Sequence, residues 1–203
     1  MATSRGSTGQ SAGSAEALDG AALLGLELQQ IQAAEGLLSQ LLPSLADAAE
    51  SDSLRECIEL REEQGKRLIG EIEASFQELD EAPPKKKNLA AEGLLEAAQE
   101  HVREMDEGPA LDAALVADIQ KVEHYCIAAW GTARSLAQAT GRKATAHAME
   151  KALQEGKSLD EKLTELAEKE ITPALLSEEL AEDDEGSRSS RKGSTSAKQS
   201  PRH

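Results

Sequence analysis

Apolar side chains recur at alternating three- and four-residue steps through four long stretches of this 203-residue chain. That spacing gives each stretch one buried stripe on a helix and leaves a strand no consistent face. The stretches are separated by turn chemistry. The first helix is expected from about Ala21 to Ala49, with Pro43 kinking it or opening its last turns. The second starts near Ser53, which stands at capping-box spacing from Glu56, and runs to about Leu79. Asp80 to Asn88 holds Pro83, Pro84 and three lysines and is expected to be a loop. A shorter helix, Leu89 to Met105, stops before Gly108-Pro109, and a fourth runs from Pro109 to about Ala139. After Thr140-Gly141 the fifth extends from about Lys143 to Ile171, ahead of Pro173. Helices of this length joined by short turns predict an all-α antiparallel bundle of five helices, four long and one short, over residues 18–175. Residues 1–17, rich in Gly, Ser and Thr, are expected to be a disordered arm. Residues 176–203, acidic and then basic, are expected to be a disordered tail.

Charge and composition narrow the functions. The net charge of -16, with one Trp, one Tyr and one Phe, leaves neither the clustered cations nor the stacking platforms that nucleic acids require, so no nucleic-acid partner is expected. No apolar run reaches the roughly 18 residues a membrane helix needs, and no apolar signal-peptide core follows the polar start, so no membrane role is expected. Cys57 and Cys126 sit inside helical patterns without metal-ligand spacing. That usage suits buried thiols in a reducing compartment and a cytoplasmic protein.

Polar residues interrupt the apolar seams. Glu35 stands in the first, between Ile31 and Leu38. Arg61 and Gln64 stand in the second, Glu123 in the fourth ahead of Cys126 and Trp130, and Gly156 leaves a gap in the fifth, near Asp160. One inward acid per helix at mid-bundle depth is how two-metal bundles are built, because a buried carboxylate is costly unless paired. Such sites also use Glu-x-x-His steps, and here Ala98, Lys121 and Ala144 stand three residues before His101, His124 and His147. The histidines are therefore expected to be solvated helix-face residues.

The segments Asp112-Ala-Ala-Leu115, Gln120-Lys-Val-Glu-His-Tyr125 and Ile127-Ala-Ala-Trp-Gly-Thr132, with Ala34-Glu35, Glu92-Gly93-Leu94 and Asp160-Glu-Lys-Leu-Thr-Glu-Leu-Ala167, resemble the YciE/YciF family of bacterial ferritin-like proteins. The resemblance spans roughly Ala21 to Ile171. It implies a ferritin-like five-helix bundle, often dimeric, with a rubrerythrin-like two-metal site and an association with stress. By the same resemblance Glu35 and Glu123 match the family's inward acids, and Asp160, Glu63 and Glu155 match further acids. Where the family carries imidazole, carboxylate or amide ligands on the second helix, this chain has Arg61, Gln64 and Leu68, and where it carries inward glutamates on the last two, it has Cys126 and Gly156. A metal pair repels a neighbouring guanidinium, so the site is expected to be degenerate, with Arg61 supplying the positive charge beside Glu35.

The expected inward polar layer is Glu35, Arg61, Gln64, Glu123, Cys126 and Asp160, with no catalytic residue and no cofactor. The leading expectation is a non-enzymatic, stress-associated homodimer. The alternative is an iron- or manganese-dependent oxidoreductase or iron-handling protein, with two ions held by Glu35, Glu63, Glu123, Glu155 and Asp160.

Overall fold

The computed structural model describes residues 19–80, 87–178 and 180. Five helices follow one another: α1 (Gly20–Ala48), α2 (Asp52–Leu79), α3 (Leu89–Glu104), α4 (Pro109–Ala139) and α5 (Lys143–Leu166). The expected bounds hold to within a residue or two at most ends. Around the bundle α1 packs on α2, α2 on α5, α5 on α4 and α4 back on α1, while the short α3 covers the α1–α4 side. The seams meet in a core that includes Leu28, Leu54, Ile72, Leu115, Trp130 and Leu163. No strand occurs among the described residues.

Three helix starts are fixed by side chains that accept from backbone donors left free in the first turn. Asp19 accepts from the Ala22 N–H at 2.9 Å, and Asn88 accepts from that of Ala91 at 3.0 Å. At α2 the cap is Ser51, accepting from the Leu54 N–H, rather than the expected Ser53. The Ser53 hydroxyl instead donates to Glu170, which also accepts from the Ser51 hydroxyl.

Two prolines expected to end or bend helices lie within helical backbone. Pro43 is inside α1 on its exposed side, where a carbonyl deprived of its partner can meet water. Ahead of Pro173 the chain widens into a π turn, Ala167–Ile171, with the Thr172 N–H donating to the Ala167 carbonyl, and then stays helical over residues 172–178. The wider turn has a local cause: a proline ring crowds the carbonyl four residues before it and offers it no N–H. The helix thus continues past the boundary expected at 175. The expected arm at 1–17 and most of the expected tail and lysine loop lie outside the described residues, while Lys87 and Asn88 at the end of that loop are non-helical.

Candidate functional site

The polar intruders on three seams converge at one level of the bundle. Arg61, projecting from α2, is 1% exposed, and Glu35 on α1 and Glu123 on α4 are 0% and 1% exposed. The guanidinium grips Glu35 with two parallel bonds, Nη1 to Oε2 at 3.0 Å and Nη2 to Oε1 at 2.9 Å. Its Nε donates to Glu123 Oε2 at 2.7 Å, and Nη2 also approaches Cys126 Sγ at 3.7 Å. A planar fork of five N–H donors suits this task, since one ammonium group could not meet both carboxylates in the same directions. The face of Trp130 lies 5.4 Å from the guanidinium carbon and closes the layer with a cation–π contact.

Burial and charge set the protonation behaviour. Burial works to lower the Arg61 pKa, but Glu35 and Glu123 more than offset it and hold the guanidinium protonated. Burial pushes the Glu123 carboxyl above the ordinary carboxylate range, and Arg61 offsets only part of that rise. Among the described residues, neither Glu123 Oε1 nor the Trp130 indole N–H has a hydrogen-bond partner. The Cys126 thiol is likewise raised by burial, with Glu35 adding to the rise and Arg61 opposing it. A thiol in that state is a poor nucleophile.

Two glycines make room for these groups. A Cβ on Gly156 would stand 2.5 Å from both Glu123 Oε1 and the Trp130 ring. One on Gly65 would stand 2.9 Å from Glu35 Oε2. The gap in the α5 seam is therefore filled from across the bundle by a carboxylate and an indole.

The other expected residues take different places. Gln64 is buried, and its amide donates to the Ala152 carbonyl of α5 at 3.3 Å. Asp160 stays at the rim, accepting from Gln120 and facing His124 Nε2 at 3.3 Å. Glu63 is exposed, and the partly exposed Glu155 pairs with Arg67 at 3.2 Å. The wider carboxylate set thus does not gather around the layer, because Glu63 points to solvent and Asp160 and Glu155 are engaged on the surface. His124 and His147 are solvated helix-face residues as expected, but the Nδ1 of the partly exposed His101 meets the buried Asp118 at 2.6 Å.

With the guanidinium in place, a two-metal centre does not fit. Arg61 stands between the two carboxylates, and among the described residues no imidazole faces them and no three His, Cys, Asp or Glu side chains form a set able to hold a metal ion.

Sequence reading missed Trp130 as a lid and Asp112 as an anchor. Asp112, buried on α4, accepts from the backbone N–H groups of Glu50 and Ser51 at 2.9 and 2.8 Å and ties the α1–α2 turn to the bundle. Its position in the first turn of α4 reads as helix-terminus electrostatics, which hides the tertiary role.

Residues 21–176 match the family described as "Domain of unknown function (DUF892)". Protein YciF of Escherichia coli (strain K12) is 35% identical over 141 residues, which are 69% of this chain and 85% of that protein. The crystal structure of the E. coli stress protein YciF superposes with a TM-score of 0.71 at 32% identity, covering 74% of this chain and 96% of that one. YcfI of Rhodopseudomonas palustris gives 0.69 at 29% identity, with the same 74% and 96% covered. A protein from Xanthomonas campestris shares the fold at a TM-score of 0.64 and 20% identity, over 80% of this chain and 99% of that one. On the extent of these matches, this chain belongs to the DUF892 family, in which it is similar to YciF.

Proposed function

We propose that this chain is a non-enzymatic, ferritin-like member of its family that acts by association, as a cytoplasmic homodimer in a stress-related setting, and whose two-metal site is degenerate. The observation that carries this reading is Arg61 held between Glu35 and Glu123, with Nη2–Oε1 and Nε–Oε2 distances of 2.9 and 2.7 Å. A guanidinium fixed there supplies the positive charge that would otherwise come from metal, and it brings no redox or Lewis-acid chemistry. The stress setting is supported by the description of E. coli YciF as a stress protein. No helix among the described residues is long and apolar enough to cross a membrane, which agrees with a role outside the bilayer.

Elemental analysis of the full chain, purified from cells supplied with iron and manganese, tests the reading. The expected content is far below one ion per chain. About two equivalents of iron or manganese, the loading of a two-metal bundle, would overturn it and favour the oxidoreductase alternative. Sedimentation equilibrium tests the dimer separately, and a monomer at all concentrations removes that part.

A further inference from the structure

Of the five helices, α3 is the shortest and has the thinnest apolar footing. Among its 16 residues only Ala91, Leu95 and Ala98 are buried, with Leu94 and Val102 half-buried against the core. Two of the three are alanines, so α3 withdraws little apolar area from water, whereas each of the other helices buries several large side chains. Polar contacts hold it instead. His101 Nδ1 meets Asp118 of α4 at 2.6 Å. At the head of α3 the Asn88 amide donates to the Gln30 carbonyl of α1 at 2.8 Å and to the Tyr125 hydroxyl of α4 at 2.6 Å. The packing beneath α3 is incomplete as well. A cavity of about 10 Å³ lies there, lined by Leu95, Ala98 and Ile119 and extending to Arg61, Asp118 and Glu123. The connection to α4 is built to bend: residues 105–108 are non-helical, and Gly108 sits at φ 150°, a conformation that a residue with a Cβ rarely adopts.

We propose that α3 is a hinged cover that swings off the α1–α4 side as one unit while the other four helices stay packed, with Gly108 as its pivot and the His101–Asp118 contact as its latch. Opening carries Leu95 and Ala98 away from the cavity and admits water to the side of Arg61 and Glu123 that faces it. The motion is inexpensive for two reasons. Little apolar surface is exposed, and Asp118 keeps the Lys121 ammonium at 2.9 Å on its own helix when His101 leaves. An element with few buried contacts opens far more often than the whole molecule unfolds, and a glycine at its base absorbs the dihedral change.

Native-state hydrogen exchange of the full chain, read by mass spectrometry in increasing low urea, tests the cover. Amides of α3 are expected to be at least tenfold less protected than the core amides of α2 and α5, with a weaker urea dependence, because a smaller surface is exposed. Those from Leu94 to His101 are expected to share one level of protection. His101→Ala is expected to lower that level about fivefold, the upper worth of a partly exposed ion pair, and to leave α2 and α5 unchanged. A thiol placed under the cover by Ala98→Cys, in a chain with Cys57→Ala, is expected to react with a disulfide reagent in native buffer, about fivefold faster once His101→Ala is added. Protection and urea dependence in α3 equal to those of α5 would mean that α3 leaves only on global unfolding, and would overturn the proposal. Protection that falls off smoothly from the centre of α3 to its ends would mean fraying and not a unit, with the same consequence. A His101→Ala change that speeds exchange in all helices alike removes the latch.

Discussion

The cost of breaking the layer depends on which member is removed. Arg61→Ala strands two carboxylates in the core, and chemical denaturation should show a loss of about 3–5 kcal/mol in metal-free buffer. Replacing all three members together with apolar residues of similar size, Glu35→Leu, Arg61→Met and Glu123→Leu, should cost far less, because no buried charge or hydrogen-bonding group is left unpaired. Equal losses in the two proteins would mean that packing, and not charge pairing, dominates the site. Gly156→Ala forces a methyl to within 2.5 Å of Glu123 and Trp130 and should cost about 1–3 kcal/mol, despite alanine's better helix propensity. Glu35, Arg61 and Glu123 were legible as a layer because each breaks an apolar seam. Asp160 looked equivalent, but Leu159 takes the buried position beside it. Periodicity alone left the two open.

At the scale of elements, the turn between α1 and α2 is held from two distant helices. Asp112 takes two of its backbone donors from α4, and Glu170 reaches Ser51 and Ser53 from the π turn. Ser51→Ala removes both a helix cap and a partner of Glu170 and should lower stability by about 1 kcal/mol or more, with Ser53→Ala the milder change by the same denaturation measurement. An equal or larger loss for Ser53→Ala would restore Ser53 as the cap. Helix bounds were readable from Gly108-Pro109, Asn88 and Thr140-Gly141, since each acts through local backbone chemistry. The choice of Ser51 over Ser53 was not, because both residues satisfy the same local rule and the contact with Glu170 spans 119 positions in sequence.

For the molecule as a whole, the raised Glu123 carboxyl gives the fold a pH signature. Its folded state binds a proton more tightly than its unfolded state, so this contribution is complete below the ordinary carboxylate value and is lost as pH rises toward the folded value. Relative to Glu123→Gln, the wild type should therefore lose stability as pH climbs from about 4.3, followed by urea midpoints; a difference that stays constant or moves the other way contradicts the raised value. Thiol labelling gives a second global readout. Cys57 is half-buried and should react with iodoacetamide in native protein, while Cys126 should react only on unfolding. The sequence by itself determined the helices and their inward faces, since spacing and cap residues act within a few turns of chain. Only the tertiary structure decided that a guanidinium, two carboxylates, a thiol and an indole from α1, α2 and α4 share one buried layer, and that Gly156 on α5 makes space for them. Arg61 meets partners 26 to 65 positions away in sequence, so those distances depend on how the helices lie against each other.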